Sequence, residues 1–344
     1  MGHAYAWSPR AGGSAPLKRA VESPSKPIGM DAGPRPELKA QMDRRDRLVG
    51  IALMCGAVAC FAGLDGCAKW LNRSIDPLMT VWARYMGSVV VVSALLNPWT
   101  VPGLLRTRRP WLQAGRSVLV LVSTILNFIA LQYLQLTETV SIMFATPFLV
   151  ALLAGPMLGE WAGPRRLAAI GVGFLGVLII TRPGLGGMHP AAFLCVIGAV
   201  CYALYGISTR ILAAHDSSAT TMFYSGLAGV VLITPVLPLV WTTPASWLVW
   251  ALMLVMGAFG ALGHWLLILA HARAPAGVLA PFIYGQIVWM MALGYFIFGD
   301  LPDRWTLAGA AVVIASGLYL LYRERVRSAE ARRAETTIEV ESRR

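Results

Sequence analysis

The sequence predicts an all-α polytopic membrane protein, with ten transmembrane helices arranged as two inverted five-helix repeats. Three observations carry this. Of 344 residues, 57% are hydrophobic and only 13% charged, with a mean hydropathy of +0.63, whereas a soluble domain carries roughly a quarter charged residues. Continuously apolar stretches of about 20 residues, the length that crosses a bilayer as a helix, recur along the chain. The second half also echoes the first at a near-constant offset. The stretches are too long and too evenly apolar for the alternating strands, about 10 residues each, of a membrane β-barrel.

The elements follow in order. Residues 1–45 are rich in Pro, Gly, Ser and charge and have no apolar period, which predicts a disordered leader. No apolar core follows a basic start, so they do not read as a signal peptide. "MDRRDRLVGIALM" opens at Met42 directly before the first helix, so Met42 or Met30 is the expected natural start. Ten apolar segments come next, near 48–70, 78–97, 115–134, 138–158, 165–181, 191–213, 218–241, 246–271, 276–298 and 305–322. Their short connections predict a tightly packed bundle. Residues 326–344 form a charged, solvated tail that continues the last helix for a turn or two.

Loop charge sets the orientation. With the amino terminus in the cytoplasm, inside connections carry Arg106, Arg108, Arg109, Arg116, Arg165, Arg166, Arg210 and Arg273, and outside ones Arg73, Arg182 and Arg304. Eight against three, with basic residues at both ends, predicts both termini inside. The net charge of +12 is explained by this clustering. No basic stripe interleaved with aromatics points to nucleic acid.

A shift of 141 residues lays "ACFAGLDGCAKWL" (59–71) over "VCYALYGISTRIL" (200–212), so that Cys60 meets Cys201 and Lys69 meets Arg210. With one residue deleted, "LGEWAGP" (158–164) lies over "FGDLPDR" (298–304), and Gly159 meets Gly299. Five helices per repeat is an odd number, so the second copy enters the membrane upside down. Inverted repeats are a device of alternating-access transporters, with the substrate between the halves near the midplane.

Five cysteines fall inside apolar segments without a CxxC pair, and five histidines show no ligand spacing, so packing is the expected role and no metal site or cofactor is predicted. No phosphate loop, nucleophile elbow or HExxH helix is present.

From 46 to 325 the chain resembles the drug/metabolite transporter superfamily, in its ten-helix EamA-like branch. The resemblance rests on "FATPFLVALLAGPMLGEWAGPRRLAAIGVGFLGVLIITRPG" (144–184) and "YGQIVWMMALGYFIFGDLPDRWTLAGAAVVIASGLYLLYRER" (284–325), each a helix ending in Gly-Glu or Gly-Asp before a Gly-rich helix. "LDGCAKW" (64–70) followed by Arg84 is a further likeness. It implies EamA-like repeats over 46–184 and 189–325, and movement of a small polar metabolite such as an amino acid, nucleotide-related compound or vitamin.

Candidate site residues are polar groups set in apolar segments, where each charge costs about 2.5–3.5 kcal/mol by insertion scales. Asp65 and Lys69 are four apart on one helix face, close enough to pair. Lys69 can instead snorkel to the headgroups. Asp65 lies deeper and is the stronger candidate for a cavity and for carrying a proton. Arg84 presents a fork suited to a carboxylate or phosphate, or pairs with Asp65. Asn127, His264, Tyr284 and Gln286 are neutral candidates that can equally bond a neighbouring helix. Trp289 can stack on a planar substrate or simply pack. Tyr133 and Trp82 read as interface anchors. Glu160 and Asp300 sit at helix ends, where capping the next helix competes with ion coupling. Pro147 and Pro281 predict breaks that line a cavity or serve as hinges.

The sequence therefore predicts a non-enzymatic secondary transporter working by alternating access, driven by its substrate gradient, exchange or protons. Its partners are a small molecule and the bilayer, with no nucleic acid and a homodimer left open. A membrane-embedded lipid-modifying enzyme needs a His, Asp or Ser cluster near one interface. A scaffold or sensor would tolerate neutral residues in place of the buried charges.

Overall fold

The computed structural model describes residues 36–95, 105–159, 161, 163–182, 189–274 and 276–342. The chain divides between Asp43 and Arg44, and the packing below concerns residues 44–344. All regular structure among the described residues is helical. The first half contains α1 (Pro36–Leu71), α2 (Pro77–Leu95), α3 (Pro110–Ala130), α4 (Leu136–Met143), α5 (Thr146–Leu158) and α6 (Pro164–Thr181). The second contains α7 (Ala191–Leu212), α8 (Ser218–Ile233), α9 (Leu237–Val240), α10 (Trp247–Arg273), α11 (Ala276–Ile283), α12 (Gln286–Leu293), a π turn (Gly294–Phe298) and α13 (Arg304–Ser342).

Local chemistry sets these boundaries. Proline opens α2, α3 and α6 at the first position, where its missing N–H costs nothing. Gln135 and Glu138 form a reciprocal capping box on α4. Ser217 accepts from the Thr220 N–H at 3.1 Å to cap α8. Gly159 (φ 74°) and Gly299 (φ 71°) end the corresponding span of each half in the left-handed region that favours glycine.

Among the described residues, eight segments are long and apolar enough to cross a membrane: Arg45–Leu71, Pro110–Ala130, Leu136–Leu158, Pro164–Thr181, Ala191–Leu212, Trp247–Arg273, Pro281–Phe298 and Arg304–Arg323. The expected count of ten is thus met by eight. The other two expected places hold α2, interrupted by Arg84, and the short apolar helix Ala219–Ile233. Three segments are broken. α4 gives way to α5 at Phe144–Ala145, just ahead of Pro147, and α11 to α12 at Tyr284–Gly285, three residues after Pro281. The third break, between α8 and α9 around Pro235, was not expected. The last helix also runs to Ser342, well past the turn or two predicted.

Packing follows the repeat. α6 and α13, the fifth span of each half, lie against each other, as do α2 and α8, the second of each. α3 of the first half packs on α7 and α8, and α10 of the second packs on α2 and on α1, through Phe259 against Gly63 and Phe61 against Gly263. Exchanging the halves maps each contact onto another. Glycine permits the closest approaches: an added Cβ on Gly87 would stand 2.8 Å from the Gly257 Cα, and one on Gly176 2.9 Å from the Gly309 carbonyl oxygen.

Candidate functional site

The α4–α5 and α11–α12 breaks open onto one central chamber of about 420 Å³. α1 contributes Asp65 and Phe61, α2 Arg84, and α3 Thr124, Asn127 and Phe128. The break between α4 and α5 contributes Phe144 and Thr146, and the break between α11 and α12 contributes Tyr284 and Gln286. α7 adds Tyr202 and Tyr205, and α10 adds His264.

The helices fix these side chains from behind. On α1, Leu64 and Ala68 are buried in the core while Asp65 keeps access to the chamber. Its Oδ1 lies 3.5 Å from Asn127 Nδ2, and Asn127 Oδ1 is buried with no partner among the described residues. Arg84 donates to Thr124 Oγ1 at 2.6 Å. The Thr124 hydroxyl in turn donates to the Val120 carbonyl at 2.8 Å. The guanidinium carbon stands 4.9 Å from the Tyr85 ring centroid and 5.9 Å from that of Phe128, at cation–π range. Tyr284 is buried edge-on against Phe144, with ring centroids 4.9 Å apart, so the two breaks touch through aromatic rings. A Cβ on Gly317 would overlap the Tyr284 hydroxyl. His264 packs edge-on to Phe61 at 5.1 Å.

Six of the sequence candidates thus line one chamber: Asp65, Arg84, Asn127, His264, Tyr284 and Gln286. Others lie elsewhere. Lys69 does not pair with Asp65. Its ammonium donates to Asp300 at 2.7 Å and to the Leu134 carbonyl at 3.0 Å, because the turn after the π turn brings a carboxylate to the end of α1. Lys69 and Arg73 both stand over the Phe298 ring, at 5.1 and 4.8 Å. Asp300 is therefore not the cap of the next helix. Asp303 is, accepting from the Thr306 N–H at 2.7 Å while paired with Arg182 at 2.8 Å. Trp289 is 48% exposed and faces away from the chamber. Glu160 lies outside the described residues. Tyr133 stacks on His189, and Trp82 donates to Thr234.

A second cavity, of about 290 Å³, shares Arg84, Tyr205, His264 and Leu267 with the first and continues to Ala213 and Asp216 at the start of α8. Arg116 lines it. Sequence reasoning placed this arginine in a connection, whereas it sits in α3 and is 2% exposed. The aromatic walls, Phe61, Phe128, Phe144, Tyr202 and Tyr205, were also missed. Nothing in the sequence distinguishes an aromatic facing a chamber from one facing lipid.

Comparison with known proteins agrees with this architecture. The family described as "EamA-like transporter family" matches residues 48–182 and again 189–323. A Rickettsia conorii S-adenosylmethionine uptake transporter is 27% identical over 284 residues, 81% of this chain and 94% of its own. A Vibrio cholerae riboflavin transporter is 27% identical over 292 residues, covering 83% of this chain and 97% of its own. A solved crystal structure, 16% identical, superposes with a TM-score of 0.57 over 80% of this chain and 98% of its own, a likeness of fold.

Proposed function

The chain belongs to the EamA-like transporter family, and from that premise we propose that its central chamber carries a zwitterionic metabolite bearing a planar ring. The protein is a multi-pass membrane transporter of a small metabolite. The proposal concerns its cargo and cycle.

One observation supports this cargo above the others. A carboxylate, Asp65, and a guanidinium, Arg84, line the same chamber without forming an ion pair, between aromatic walls. Asp65 would take a cationic group, Arg84 a carboxylate, and Phe128, Phe144 and Tyr202 the ring. Asn127 Oδ1 and Gln286 would receive or offer neutral hydrogen bonds. S-adenosylmethionine, named for one relative, has a sulfonium, an amino acid and an adenine. Riboflavin, named for another, has a planar ring but no carboxylate or fixed cation. The charge pair favours the first class.

The cycle is alternating access. The two halves rock about the chamber, which the inverted packing allows, and Lys69–Asp300 ties α1 to the turn ahead of the last span when that side is shut. Both termini lie in the cytoplasm and the membrane is the bacterial inner membrane. With Arg116 counted as buried rather than in a loop, arginines still favour that side seven to three. The cargo gradient, exchange or protons supply the energy.

The test is uptake of labelled S-adenosylmethionine and of labelled riboflavin into proteoliposomes. Saturable S-adenosylmethionine uptake lost in Asp65→Asn and in Arg84→Ala is the expected result. Riboflavin uptake that survives both substitutions would sink the zwitterion reading.

A further inference from the structure

We propose that the second cavity is an anion-binding station, in which Arg116 and Arg84 receive a compact oxyanion, a carboxylate or a phosphate. It goes beyond the central chamber, with which it shares Arg84.

Arg116 is the single charge on α3 and is buried. Its Nε donates to Thr209 Oγ1 at 2.7 Å, and its Nη1 to the Thr221 carbonyl at 3.1 Å and Ser225 Oγ at 3.0 Å. Its Nη2 donates to Tyr205 Oη at 3.1 Å, and the Tyr205 ring lies 4.6 Å from the guanidinium carbon. Four bonds to neutral groups hold the side chain still and leave one of its five N–H donors over. None of them neutralises the charge. Among the described residues, no carboxylate forms an ion pair with Arg116 or with Arg84, which lines the same cavity.

Among the described residues, the one carboxylate lining this cavity is Asp216. It is engaged by the Thr107 hydroxyl and, at 2.9 Å, by the Arg108 N–H, so it fastens the end of the bundle rather than pairing with Arg116. A buried guanidinium without a counter-charge is costly in low dielectric. Here Arg116, held by neutral hydrogen bonds and the Tyr205 ring, faces one space of about 290 Å³ together with Arg84. That space accommodates an acetate-sized or phosphate-sized group. It adjoins the central chamber through Arg84, Tyr205 and His264, which places the station between the chamber and the end of the bundle at Asp216. The rival role for Arg116 is a rivet that joins α3, α7 and α8 and binds nothing.

Thermal melting of the detergent-purified full chain separates the two. Potassium phosphate and potassium acetate are each compared with potassium chloride at equal ionic strength. An anion bound only by the folded state raises the midpoint by mass action, by about 2–4 °C for a site well occupied. The shift is expected in the wild type, in Asp65→Asn and in part in Arg116→Lys, and lost in Arg116→Gln. Ser225→Asp, which places a carboxylate beside Nη1, is expected to melt higher in chloride and to lose the phosphate shift. Equal melting of the wild type in all three salts overturns the proposal. So does a shift undiminished in Arg116→Gln or, should that variant not fold, in Ser225→Asp. Labelled phosphate entering proteoliposomes together with cargo would identify a free co-passenger. Phosphate that stays outside would assign the oxyanion to the cargo itself. Failure of S-adenosylmethionine uptake leaves the melting result intact, so the two readings fail separately.

Discussion

The two halves of the bundle have the same frame and different linings. Each contributes a broken fourth span, a glycine-ended helix and a fifth span that packs on its twin. The formal charges of both cavities' walls, other than Asp216, come from the first half: Asp65, Arg84 and Arg116. The second half supplies Tyr202, Tyr205, His264, Tyr284 and Gln286. Symmetry serves the motion, because two interchangeable arrangements need two similar halves. Recognition needs no such symmetry, and a charge repeated on both sides of the chamber would double the desolvation cost.

This contrast can be broken at its strongest point. Asp65→Asn or Arg84→Ala is expected to reduce uptake about 10- to 100-fold, the loss of one hydrogen bond to a charged group. Gly317→Ala comes next. Its methyl overlaps the Tyr284 hydroxyl and should destabilise the protein by about 1–3 kcal/mol. Adding Tyr284→Phe, which removes the colliding oxygen, should restore part of the melting temperature. Failure to do so would place the strain elsewhere.

Lys69→Met removes the tie to Asp300 and should raise the labelling rate of the half-buried Cys67 by a membrane-impermeant maleimide. The exchanged pair Lys69→Asp with Asp300→Lys should bring the rate back down. On the second half, Gln286→Ala should weaken apparent affinity only a few-fold, as expected for a neutral hydrogen bond. A loss as large as that of Asp65→Asn would erase the contrast between the linings.

The smallest effect concerns Asp303. Desolvation pushes its carboxyl up, but the Thr306 N–H and Arg182 outweigh that and hold it below the ordinary carboxylate range. Its stabilising contribution is thus complete above the unfolded value, about 3.9, and fades as pH falls through the lower folded value. The side chain is 43% exposed, so screening keeps the contribution below about 1 kcal/mol. Melting between pH 5 and pH 3 should fall slightly less in Asp303→Asn than in the wild type.

Much of the frame was legible because the bilayer imposes length and apolarity on every span. The prolines also announced two of the breaks, displaced by a few residues. The chamber residues stood out for the same energetic reason: Asp65 and Arg84 are expensive in an apolar segment and have to face something polar. What was hidden is non-local. Lys69 finds Asp300 across 231 positions, and the nearer Asp65 was the natural but mistaken partner. Arg116 sits early in α3, where an arginine counts with the connecting loop until its neighbours α7 and α8 are in place. Trp289, which could stack or pack, follows the break after Tyr284 and is not among the chamber's lining residues.

The contact between Gly87 and Gly257 carries a mechanical consequence. The backbones of α2 and α10 nearly touch there, and a Cβ at either position would collide with the other helix. A slide of one turn along the axis would set the side chain of Ala83 or Val91 against Gly257, where no side chain fits. The pair can therefore swivel about that point but cannot slide through it, which makes the contact a fulcrum. The ends of α2 and α10 then travel farthest while their crossing stays fixed, so distance probes at the helix ends should report the stroke and probes near residue 87 should stay silent.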